Sequence, residues 1–175
     1  MAVSGTMGRD LGWLRPLLGI GVVALTMLAA AAPWPTALAV LAPAAVAHAA
    51  IFDWSLRRPD ALPAFAAFGL GLLLDVLGSG VFGLGALTCV IVHYAAAAQR
   101  RFLGPRGIVH AWIGAGLMAA LIAPVSWLAV SIYAFEAQPV RLILTQTALT
   151  AAVYPLLAAI YGGVRGAFGL TGRGA

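Results

Sequence analysis

The chain has 175 residues, 63% of them hydrophobic and 9% charged, with a net charge of +5 and a mean hydropathy of +1.02. A soluble domain is about half apolar and about a quarter charged, so an ordinary soluble fold is excluded and a polytopic membrane protein is expected. The apolar runs are continuous rather than alternating, which excludes a transmembrane β-barrel and makes the class all-α. All ten basic residues are Arg, placed singly or in pairs between apolar runs. That pattern reads as topology signal and headgroup contact, with membrane lipid as partner and no nucleic acid. The single Cys89 excludes an internal disulfide.

A short polar start with Arg9 and Asp10 precedes a first span from about Trp13 to Ala32. The charged start, the apolar run and the small residues Ala29–Ala32 also resemble a signal peptide. Pro33 and Pro35 crowd the cleavage point and further spans follow, so an uncleaved helix is expected. Pro33-Trp34-Pro35 makes a tight turn, and a second span covers Thr36 to Trp54, with Phe52 and Trp54 marking an interface. The loop Arg57-Arg58-Pro59-Asp60-Ala61-Leu62-Pro63 comes next. It reads either as topology signal and helix start, with Asp60 favourably near the N-terminus of the third span, or as a docking surface.

The third span covers Leu62 to Leu77 and ends at Gly78-Ser79-Gly80, since glycine commonly terminates helices. The fourth runs from Val81 to Ala98, followed by a polar loop with Gln99, Arg100, Arg101 and Arg106. The fifth runs from Ile108 to Phe135 with Pro124 inside it, where a tilt or kink is expected. Glu136, Gln138 and Pro139 form a short loop. The sixth span covers Val140 to Tyr161 and is closed by Gly162-Gly163. This divides the chain into one six-helix domain over 1–162 and a short cytoplasmic tail over 163–175 carrying Arg165 and Arg173. Arg9, Arg15, Arg57, Arg58, Arg100, Arg101, Arg106, Arg165 and Arg173 fall on one side and Arg141 alone on the other. That bias puts both termini in the cytoplasm.

Asp75 is the acid inside the apolar run 59–86. An ionised acid at a helix centre costs roughly 2.5–3.5 kcal/mol on insertion scales. Three residues from Gly78 it lies only about 5 Å below the outer turn, where the cost is smaller. It reads as a cap accepting hydrogen bonds from amides at the start of the fourth span, as a buried site acid, or as a partner for Arg141. Ala67 and Gly71 put small residues on the face that continues to Asp75, so the third span should pack centrally. Gly83-x-Gly85 follows no strand and is not a nucleotide fingerprint. His48, His93 and His110 are too scattered for a metal site, and His93 reads as an interior hydrogen-bonding group. Thr145, Gln146, Thr147 and Thr150 read as a packing face first and a site second. No nucleophile pairs with a base at recognisable spacing, so neither an enzyme nor a bound cofactor is expected.

Three pieces carry a family resemblance: Trp54-Ser55-Leu56-Arg57-Arg58-Pro59-Asp60-x-Leu62-Pro63, Phe68-Gly69-x-Gly71-Leu72-Leu73-x-Asp75-x-Leu77-x-x-Gly80, and Leu84-Gly85-Ala86-Leu87. They resemble the bacterial rod shape-determining protein MreD, the first piece in its α-proteobacterial form. The resemblance implies a non-enzymatic inner-membrane scaffold of the rod-elongation machinery that builds lateral peptidoglycan. Its implied partners are MreC foremost, then MreB, RodA and the transpeptidase that works with RodA. It also implies a fold related to the substrate-binding subunits of energy-coupling-factor transporters. A vitamin-type binding subunit is therefore the alternative, against which the short, weakly polar outer turns weigh. The residues expected to serve structure or partner contact are Arg57, Arg58, Pro59, Asp60, Asp75, Gly78, Gly80 and Gly83.

Overall fold

A computed structural model describes residues 14–32, 42–78, 81–103 and 107–167. Six α-helices form among them: α1 (Leu14–Ala30), α2 (Ala42–Arg57), α3 (Ala64–Leu77), α4 (Leu84–Leu103), α5 (Ile108–Ala134) and α6 (Val140–Ala167). A short 3-10 turn, Pro59–Ala61, sits between α2 and α3. Strands are absent among the described residues. At 1.5 Å per residue, α5 and α6 are about 40 Å long, more than the ~30 Å hydrocarbon core of a bilayer. These two are long and apolar enough to cross a membrane individually, whereas α1 and α3 contain shorter apolar stretches.

The central helix is α2, not α3 as its small-residue face suggested. It touches all five other helices, and its alanines at 45, 47, 49 and 50 are fully buried. Alanine favours helix, and its small radius lets several neighbours approach one backbone at once. α3 packs mainly along α4 and leaves Phe65, Phe68 and Val76 exposed. α3 and α4 approach each other closely at Gly71 and Gly85. A Cβ on Gly71 would run into the backbone of Ala86 and Gly85, and one on Gly85 into Asp75 and the Gly71 carbonyl.

Several ends differ from those expected. α4 begins at Leu84 rather than Val81, and continues through Gln99, Arg100 and Arg101 to Leu103. The two arginines therefore occupy its last turn, where the helix dipole favours positive charge. α6 continues past Gly162 and Gly163 to Ala167. Glycine weakens a helix without forbidding it, by about 1 kcal/mol each relative to alanine, and the packing of Arg165 described below opposes that loss. α5 and α6 continue through Pro124 and Pro155. The expected turn at 33–35 lies outside the described residues, as do 36–41, Gly80, Arg9, Arg106 and Arg173.

Candidate functional site

One polar centre is built on Asp53, which is not among the residues expected to form a site. Asp53 is fully buried in α2. Its Oδ1 accepts from Arg57 Nε at 2.8 Å and from the Tyr154 hydroxyl at 3.2 Å, and its Oδ2 accepts from Arg165 Nη1 at 2.5 Å. Arg57 reaches it along the helix from position i+4 and stays partly exposed. Arg165 reaches it from the last turn of α6 and is itself buried. The Arg165 guanidinium also lies 5.7 Å from the Trp54 ring centroid, a cation–π arrangement. Trp54 packs against Tyr161, and Phe52 against Tyr154, in tilted and edge-on geometries. One carboxylate thus joins the end of α2 to the end of α6 inside an aromatic jacket.

Two further polar links tie α2 to α4. His48 Nε2 bonds Thr88 Oγ1 at 3.0 Å, and Ser55 Oγ bonds His93 Nδ1 at 2.9 Å. Both pairs are buried. Their order, 48 with 88 and 55 with 93, means that α2 and α4 run parallel. On the other flank, Thr26 Oγ1 and the Tyr161 hydroxyl are 2.8 Å apart and join α1 to α6.

Asp75 organises the opposite end of the bundle. Its Oδ2 accepts from the Gly83 amide at 2.9 Å and the Ala86 amide at 3.2 Å, and its Oδ1 accepts from the Gly85 amide at 2.6 Å. Helix N-termini leave their first amides without intrahelical partners. Here a carboxylate from the preceding helix supplies the partner and meets the positive end of the α4 dipole. Gly83 adopts φ +93° to aim its amide at Asp75, a conformation that glycine takes without steric cost. Among the described residues Asp75 forms no ion pair with Arg141, which lies exposed at the start of α6.

The expected site residues thus fall in separate places. Arg57 belongs to the Asp53 cluster. Arg58, Pro59 and Asp60 sit beside it, Asp60 exposed and Arg58 and Pro59 half-buried. Asp60 is in the 3-10 turn, while α3 starts at Ala64 after Pro63, so Asp60 does not cap α3. The same loop is anchored by Ala61 and Leu62, both buried, with Ala61 against Gly19 of α1. Asp75 and Gly83 meet at the other end. Gly78 ends α3 in an extended conformation and is exposed. Asp53 could have been noticed as an acid inside an apolar helix, four residues before an arginine. Arg165, assigned to the tail, carried no local signal of its partner 112 residues away.

Among the described residues no group of His, Cys, Asp and Glu could hold a metal ion. The family model of rod shape-determining protein MreD matches residues 12–162. No curated protein and no solved structure matches the chain. The match takes in α1 to α5, most of α6, and the whole 54–87 stretch with its Asp75 turn. The chain belongs to the MreD family of rod shape-determining membrane proteins.

Proposed function

We propose that this protein is a non-enzymatic, six-span scaffold of the bacterial inner membrane. In this reading it holds the rod-elongation complex together with MreC, and through it MreB, RodA and the transpeptidase partner of RodA. The observation carrying the reading is that the buried Asp53 and the part-buried Asp75 are both spent on architecture. Both oxygens of Asp53 and both of Asp75 are engaged with other parts of the bundle, which supports a holding role over acid–base chemistry. The long apolar faces of α5 and α6 support lipid or partner-helix contact. Ile113, Leu117, Leu121 and Leu128 stand exposed along α5, an apolar display too extensive for water.

The six-span topology rests on helix direction and arginine placement. Arg57, Arg100, Arg101 and Arg165 lie in the last turns of α2, α4 and α6, and Arg141 at the start of α6. The first four belong at the cytoplasmic face. One six-helix domain fits this topology, and it extends at least to Ala167, because Arg165 in the last turn of α6 is joined to Asp53. Depletion should round the cells, and the purified chain should bring down MreC. Rod shape that survives depletion, together with no MreC recovered, would refute the scaffold. Reporter fusions at both termini should read cytoplasmic.

A further inference from the structure

At the Asp75 end of the bundle the helices form a half-open cavity of about 570 Å³. Its walls come from the first half of α2, the end of α3, the start of α4, and the facing halves of α5 and α6. The volume falls within the range of small-molecule sites, about 300–1,000 Å³. Most of the lining is apolar, including Leu74, Leu84, Ile122 and Leu142, and among the described residues no arginine contributes to it.

The polar groups of the wall are largely committed already. Asp75 holds three amides. His48 and Thr88 bond each other. Trp127 Nε1 donates to the Gln138 carbonyl at 2.8 Å, and Thr150 donates to the Gln146 carbonyl of its own helix. Gln146 differs. Its side-chain nitrogen and oxygen are both buried, and neither has a hydrogen-bond partner. A buried polar group without a partner costs about 1–3 kcal/mol, and here one carboxamide carries two. The expected packing role of this α6 face does not account for that cost, because Thr145 and Thr150 bond within α6.

We propose that this cavity is a binding site for an uncharged, predominantly apolar small molecule bearing a hydrogen-bond donor and acceptor side by side, with Gln146 as the group that reads it. Both atoms are shielded from the open space of the cavity, so on binding the carboxamide turns about its side-chain bonds to present an N–H and a C=O to the occupant, which satisfies both at once. The apolar walls take the body of the ligand. A carboxylate or phosphate is selected against, because among the described residues no arginine lines the cavity and Asp75 stands in its wall. Carboxamides, ureides and monoacylglycerol-type hydroxy-esters share the required chemistry, and such a molecule can come from the lipid or from water. The site is independent of the scaffolding role and stands whether or not MreC binds.

The test uses the full-length chain purified in mild detergent and follows its thermal unfolding with four probes: oleamide, monoolein, oleate and benzamide. A saturable rise of several degrees is expected with a neutral probe and none with oleate. Monoolein or oleamide as the stabiliser indicates a lipid source, and benzamide a water-borne one; either supports the proposal. Gln146→Met, which keeps the side-chain volume and removes the orphan carboxamide, should unfold at or above the wild-type temperature and lose the rise. Ala44→Leu, which narrows the cavity from its α2 wall, should weaken the rise and serves if the first variant does not fold. The proposal is overturned if no neutral probe stabilises the protein. It is equally overturned if oleate does so as well as oleamide, or if Gln146→Met retains the full rise.

Discussion

Replacing Asp53 with Asn keeps the shape of the side chain and removes its charge. Arg165 then remains buried with no counter-charge. Removing one partner of a buried pair typically costs about 3–5 kcal/mol, because the other charge is stranded. The Arg57 contact adds little, since that side chain is 27% exposed and pairs of this kind contribute about 1 kcal/mol or less. At about 2–4 °C per kcal/mol for a chain of this size, Asp53→Asn should unfold roughly 6–20 °C below wild type. Arg57→Gln should fall by no more than about 4 °C. The double variant Asp53→Leu with Arg165→Met strands neither member of the pair and should recover much of the loss. Size-exclusion chromatography of detergent-solubilised protein after a temperature series reads all three. If Asp53→Asn unfolds within 2 °C of wild type by that assay, or if the double variant is worse than the single one, the pair is not what joins α2 to α6.

The Asp75 turn makes a second set of expectations. Asp75→Ala leaves three amides at the start of α4 without their acceptor and should cost about 1–3 kcal/mol, read as a lower unfolding temperature and weaker recovery of MreC. Gly71→Ala places a methyl group against the α4 backbone and should destabilise, whereas Gly69→Ala, with open space around it, should be neutral or better. Gly163→Ala in α6 also meets nothing within 4 Å and should raise the unfolding temperature, by up to about 1 kcal/mol of helix propensity; a loss there would mean that α6 does end at the glycine pair. Ser55→Ala removes one α2–α4 link and should cost about 0.5–1.5 kcal/mol in the same unfolding series.

How far the sequence carries depends on the range of each interaction. The Asp75 turn could be read locally: its carboxylate and the amides of Gly83, Gly85 and Ala86 are separated by eight to eleven residues. An acid placed before a glycine-rich turn and a new helix has few other acceptable partners in an apolar medium. The glycines of α3 and α4 could likewise be read as close-packing points. The end of α6 could not, because glycine and arginine after an apolar run are the ordinary signs of a helix ending, and only the distant Asp53 gives that last turn a reason to persist. Gln146 among threonines also looked like interhelical bonding, until its surroundings proved to be a cavity.

Composition and patterning by themselves settled that the chain is helical and made for a membrane, and the 54–87 stretch pointed to its family. These properties are summed over single residues and short spacings, so they survive without knowledge of packing. The tertiary structure decided that the alanine-rich α2 lies at the centre, that Asp53 is joined to Arg165 across 112 residues, and that a cavity opens where five helices meet near Asp75. Each depends on which helix faces touch, and among helices that are apolar on nearly every side the hydrophobic pattern does not choose a face. Small residues, buried charges and the few polar side chains choose it instead, and their partners become visible only once the bundle is assembled.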